Sequence, residues 1–91
     1  MLNLRWESEA RRQLDETVYY IGQRDGAAAA RLEEALGRSA ERLTLTPFIG
    51  RPGRIAGTRE WIVHPNYLLI YRISETTIDV IRVLHARQRY P

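Results

Sequence analysis

Cysteine is absent from the 91 residues, and with it go disulfides, zinc–thiolate sites and thiol nucleophiles. Lysine is absent as well, since all 14 basic residues are arginine. No phosphate-loop lysine and no Schiff base is therefore available. A GC-rich coding sequence produces the same bias, and the four alanines at 27–30 share it. Histidine is scarce: His64 and His85 have no carboxylates at ligand spacing, so no metal and no other cofactor is expected. Apolar runs stay far short of the roughly 20 residues that a membrane span needs. Charge arrives at Arg5, too early in the opening residues for a signal peptide. The expectation is a cytoplasmic chain with no membrane partner.

What remains is a single domain, residues 1–91, with an ordinary apolar fraction of 44%. A chain this short buries only roughly 60–65% of its unfolded surface, so its core is thin. The formal charge of +3 conceals an asymmetry. Residues 1–45 hold seven arginines and eight acids, whereas residues 46–91 hold seven arginines and three acids. Guanidinium groups grip carboxylates and phosphates in forked pairs, so the second half suits an anionic partner.

Leu2, Leu4 and Trp6 alternate with polar residues, which predicts a short strand with one buried face. Ser8 reads as an N-cap, with Glu9 in the first turn. Ala10, Leu14, Val18 and Ile21 then form a helical stripe that ends near Gly22. Asp25-Gly26 reads as a turn. A second helix begins near Ala27, carries Ala29, Leu32, Leu36, Ala40 and Leu43 inward, and is limited by Pro47. So short a turn predicts an antiparallel helical hairpin. Residues 47–58 are rich in proline, glycine and arginine and read as a basic loop. Three strand-like runs follow, Thr58–His64, Tyr67–Ser74 and Thr77–Leu84, turning at Pro65-Asn66 and Glu75-Thr76. The middle run is apolar on both faces until Arg72, as a central strand requires. The resulting class is α+β, β-α-α-β-β-β, with a helical hairpin on one face of a mostly antiparallel four-stranded sheet. The other face is expected to stay open and to carry Arg59, Trp61, Tyr71 and Arg82.

Gly50-Arg51-Pro52-Gly53 is too short and too proline-bound to cradle a nucleotide. The stronger feature is the run of arginines in the sheet half: Arg51, Arg54, Arg59, Arg72, Arg82, Arg87 and Arg89. Interleaved with Trp61, Tyr67, Tyr71 and Tyr90, they form a candidate binding face with stacking platforms. The plainer reading of each arginine is a solvated surface residue, and of Trp61 and Tyr71 a place in the core. His85, Arg87 and Tyr90 form a second cluster. Imidazole or phenol would move a 2′-hydroxyl proton, and a guanidinium would neutralise a phosphorane, as metal-free RNA cleavage needs. The plainer reading is that His85 ends the last strand and the tail frays.

Taken in order, these segments resemble the RelE/ParE superfamily, the toxin halves of type II toxin–antitoxin modules. The resemblance spans nearly the whole chain. It rests on Leu4-Arg5-Trp6, Glu41-Arg42-Leu43, Pro47 with Gly50-Arg51-Pro52-Gly53-Arg54, Gly57-Thr58-Arg59-Glu60, Tyr67-Leu68-Leu69-Ile70-Tyr71-Arg72, and Ile81 to Gln88. It implies the same element order. It also implies a cognate antitoxin, encoded in an adjacent gene, whose acidic, amphipathic C-terminal segment wraps the toxin.

The family divides in mechanism. RelE-like members cut ribosome-bound mRNA, whereas ParE-like members poison DNA gyrase without being nucleases. The RNA-cutting branch opens its third strand with Tyr-Arg-Leu-Val-Tyr, whose arginine faces the scissile phosphate. The matching segment here is Tyr67-Leu68-Leu69-Ile70-Tyr71, with leucine at the arginine position. Loss of one transition-state cation costs about 10²–10³ in rate. The resemblance thus implies a ParE-like gyrase inhibitor rather than an enzyme. For the alternative mRNA endonuclease, the candidate catalytic residues are Arg59, Arg82, His85, Arg87 and Tyr90. For contacts to target or antitoxin they are Arg51, Arg54, Arg59, Trp61, Tyr71, Arg82, Arg87 and Arg89.

Overall fold

The computed structural model describes residues 2–63 and 66–91. The expectations for His64 and for a turn at Pro65 fall outside them. Strand β1, Asn3–Trp6, is followed by helices α1, Ser8–Gly22, and α2, Gly26–Leu43. Strands β2, Arg51–Pro52, β3, Arg59–Val63, β4, Tyr67–Ile73, and β5, Thr77–His85, complete the chain.

The strands form one five-stranded sheet in the order β1-β5-β4-β3-β2. β1 runs parallel to β5, and the other pairs are antiparallel. A parallel neighbour needs a crossover, and the α1–α2 hairpin supplies it. The fifth strand is a correction to the expected four. Arg51 pairs with Glu60 and Pro52 with Arg59 inside the segment expected to be a loop. Proline is tolerated there because β2 is an edge strand.

The helix starts also differ in detail. Ser8 is the first helical residue rather than the cap. Glu7 occupies the cap position in extended backbone, without a capping side-chain bond. Asp25, expected in a turn, caps α2 by accepting the Ala28 amide at 3.0 Å. The helical stripes pack as the spacing predicts. Ala10 and Leu14 from α1, and Leu36, Ala40 and Leu43 from α2, lie in one core with Leu69, Tyr71, Ile78, Val80 and Val83 of the sheet. β4 is the third of five strands, and Leu68 to Tyr71 are buried on both its faces.

Between Ile70 and Tyr71 the β4–β5 register shifts, from Ile70 opposite Arg82 to Tyr71 opposite Val80. Ile81 is thereby left as the extra residue of a bulge. Val80 and Val83 both reach the helical core, and Arg82 turns to the outer face beside Ile70.

Candidate functional site

The arginines of the sheet half separate into those held by the fold and those left exposed. Glu60 is the centre of the first group. Its carboxylate is almost fully buried, with 2% of the residue exposed. It accepts from Arg51 Nε at 3.0 Å and forms an ion pair with Arg51 Nη2 at 2.9 Å. Its other oxygen accepts the Arg54 backbone amide at 3.1 Å and lies 3.5 Å from Arg54 Nε. A buried carboxylate needs this many donors to offset desolvation. Arg51 and Arg54 are thus internal counter-ions, each still about half exposed.

Arg59 lies on the helix-facing side of β3, opposite Tyr71, and not on the open face as expected. Its Nε donates to the Gly50 carbonyl at 3.0 Å and its Nη2 to the carbonyls of Phe48 and Gly50. The Phe48 ring covers the guanidinium at 5.3 Å. Tyr71 is wholly buried on the same side. Its hydroxyl donates to the Pro47 carbonyl at 2.6 Å and accepts the Gly50 amide at 3.1 Å. Trp61, opposite Leu69, is half-buried against the core. The expected stacking surface of Arg59, Trp61 and Tyr71 is therefore corrected: Arg59 and Tyr71 close the loop 47–50 onto the sheet, and Trp61 packs against the core. Gly50 belongs to that closure, because a Cβ there would lie 2.6 Å from both the Glu60 carbonyl and the Tyr71 hydroxyl.

Leu68, Ile70 and Leu84 are buried on the face away from the helices, so it is not bare as expected, and Arg82 lies on that face as expected, exposed and opposite Ile70. Its charge joins the Arg12 hydrogen bond in holding the Glu9 carboxyl below its ordinary range, the Arg12 bond being the larger cause. Arg72 is exposed on the same face, opposite Asp79. Arg87 and Arg89 are exposed on the tail.

The cluster of His85, Arg87 and Tyr90 is not assembled. His85 lies on the helix side of β5, edge-on to Tyr67 with ring centres 5.3 Å apart. It lines a cleft of about 340 Å³ with Glu16, Thr17, Tyr20 and Gln88. Its Nδ1 accepts the Arg87 amide at 3.1 Å. Tyr90 lies under the Arg54 guanidinium at 4.7 Å, beside Glu60 on the opposite face of the sheet. A second groove, of about 560 Å³, runs along α2 past Ala28, Leu32 and Ala35, with Arg31 and Arg38 on its rim. Among the described residues, no three His, Asp or Glu side chains gather as a metal site would require, and no helix is long and apolar enough to cross a membrane.

Residues 4–90 match the family model described as the ParE toxin of the type II toxin–antitoxin system parDE. This chain belongs to the ParE toxin family. A Sinorhizobium fredii protein described as a candidate toxin, Y4kP, is 40% identical over 89 residues, covering 97% of this chain and 92% of that protein. The chromosomal ParDE toxin–antitoxin system of P. aeruginosa contains a chain of the same fold. It has a TM-score of 0.82 at 19% identity, with 93% of this chain and 96% of that one covered. A YoeB/ParE toxin from Agrobacterium tumefaciens aligns over 98% of this chain and all of its own, with a TM-score of 0.65 at 20% identity. The chain is a type II toxin of the RelE/ParE superfamily, and membership in such a system implies an antitoxin partner.

Two features of the site escape a reading by pattern. Glu60 has no sequence signal of its own beyond being an acid in a basic stretch. The bulge at Ile81 has none, because Ile81-Arg82-Val83 alternates as any strand does.

Proposed function

We propose that this ParE-family chain acts in the cytoplasm by binding DNA gyrase and inhibiting it, without catalysing a reaction, and that the antitoxin of an adjacent gene neutralises it. The observation that carries this reading is Leu68. It stands where RNA-cutting relatives place a phosphate-facing arginine, and it is 3% exposed, part of the packed outer face. The separation of His85 from Tyr90 across the sheet supports the same reading. A general acid–base pair must reach one substrate atom from hydrogen-bond distance.

The antitoxin reading draws on the α2 groove. An amphipathic segment can lay apolar residues along Ala28, Leu32 and Ala35 while its acids meet Arg31, Arg38 being paired with Glu34 at 2.7 Å. One observation keeps the ribosome-dependent mRNA endonuclease as a second reading. Arg82 is exposed on the outer face and makes no ion pair among the described residues, so a substitute phosphate contact is available there.

The test is a supercoiling assay with purified gyrase and no ribosomes. The expected result is inhibition with accumulation of cleaved plasmid. Unchanged supercoiling at micromolar toxin, together with codon-dependent cuts in ribosome-bound message, would replace the first reading by the second.

A further inference from the structure

The outer face of the sheet is expected to be bare, because both helices lie on the other side. Yet Leu68, Ile70 and Leu84, which point outward, are 3%, 0% and 6% exposed. Leu68 stands opposite Leu84 and Ile70 opposite Arg82. Ile62 and Glu60 are the neighbours on β3. Side chains within one sheet layer do not exclude water so fully, so a second layer covers the stripe. With both helices on the far side, the segments left to supply that layer are the loop 53–57 and the tail 86–91. These two segments meet where Tyr90 lies under Arg54.

The tail is tied down unevenly. The Ala86 amide donates to the Asn66 carbonyl at 2.6 Å, the Gln88 amide to the His85 carbonyl at 2.9 Å, and Gln88 Oε1 accepts the His85 amide at 2.7 Å. Beyond Gln88, no hydrogen bond among the described residues holds the tail. Its outer anchor is the Tyr90 ring against a guanidinium that Glu60 already fixes. The Tyr90 hydroxyl is buried there with no hydrogen-bond partner among the described residues. A buried, unpartnered hydroxyl opposes docking, because water satisfies it once the tail is released.

We infer that residues 86–91 form a strap over the outer sheet face, hinged at Ala86–Gln88 and latched by Tyr90 beneath Arg54, whose release uncovers the Leu68–Ile70–Leu84 stripe. The latch is built to open: the ring stabilises the closed state and its hydroxyl weakens it. The uncovered face is an apolar stripe with Arg72 and Arg82 at its flanks. The strap belongs to the uncomplexed chain and does not depend on which target the toxin binds.

Hydrogen exchange on the uncomplexed full-length protein tests the inference without any target. Tyr90→Ala removes the latch and is expected to raise the exchange rates of the Ala86 and Gln88 amides about tenfold. Tyr90→Phe keeps the ring, removes the orphaned hydroxyl, and is expected to slow the same amides about threefold. In both variants the Leu69 amide, in the core strand, keeps its wild-type rate. Tail amides unmoved by both variants would overturn the strap. So would shifts in the same direction, or Leu69 accelerating together with the tail.

Discussion

At the residue scale, the arginines show how one side-chain type serves two ends. Arg51 and Arg54 are committed to the Glu60 carboxylate, and Arg59 to the carbonyls of Phe48 and Gly50. They organise the chain before any partner arrives. Arg82 and Arg72 carry no such commitment among the described residues. Tyr71 has the most demanding position, since its hydroxyl satisfies a part-buried acceptor at Pro47 and a buried donor at Gly50 at once. Tyr71→Phe strands both groups and is expected to destabilise the fold by about 1–3 kcal/mol. Urea denaturation with an unchanged slope would register this as a lower midpoint. Glu9 carries the one carboxylate effect with a clear sign. The Arg12 hydrogen bond depresses its pKa, so the stabilisation is complete above the ordinary value of 4.5 and fades as pH falls through the lower folded value. The pair is exposed, so solvent and salt limit what it contributes.

At the scale of elements, the two helices start in different ways. α1 begins directly out of β1 through the extended Glu7, whose amide donates to the Val80 carbonyl at 2.9 Å, so the sheet sets its start. α2 begins at a free turn and depends on its own cap. Asp25→Ala is therefore expected to cost about 1 kcal/mol. Thermal unfolding followed by circular dichroism would show it as a drop of several degrees, since about 1 kcal/mol moves a domain of this size by roughly 4–8 °C. A wild-type melting temperature would mean that packing of Ala29 and Leu36, not the cap, positions the helix. β2 is the least independent element: two residues whose pairing is completed by the Arg51–Glu60 ion pair across the same rung.

At the scale of the whole molecule, charge is divided by layer. The acids lie mainly on the helical half, while the outer sheet face and the tail carry Arg72, Arg82, Arg87 and Arg89, none of them in an ion pair among the described residues. The acidic antitoxin segment expected from the resemblance would be steered by such a field, and salt would screen that steering. Arg31→Ala, at the α2 groove, is expected to weaken antitoxin binding several-fold and flatten its salt dependence. Arg51→Ala is expected to leave the salt dependence unchanged and to lower stability by about 1 kcal/mol instead. Calorimetric titration at two salt concentrations, paired with a melting curve, separates the two. Equal effects of both substitutions on binding would mean that the internally paired arginines also face the partner.

Periodicity determined much of this protein. Helical spacing alone placed Ala10, Leu14, Leu36, Ala40 and Leu43 inward. The doubly apolar run at Leu68 to Tyr71 required a central strand, and the ordered segments carried the family. Those features are local, or repeat at the period of the element that holds them. Tertiary structure alone decided which arginines are free. Arg51, Arg54, Arg59 and Arg82 look alike in sequence. What separates them is a buried acid brought from the next strand, two carbonyls brought from a loop, and a bulge at Ile81 that inverts the side to which Arg82 points. The same holds for the outer face. An apolar stripe beside a polar tail reads as open sheet and loose end, and only the fold buries that stripe and brings Tyr90 back under Arg54. Pairing between residues distant in sequence leaves no periodic trace, because its energy depends on where two separate segments meet and not on the spacing within either.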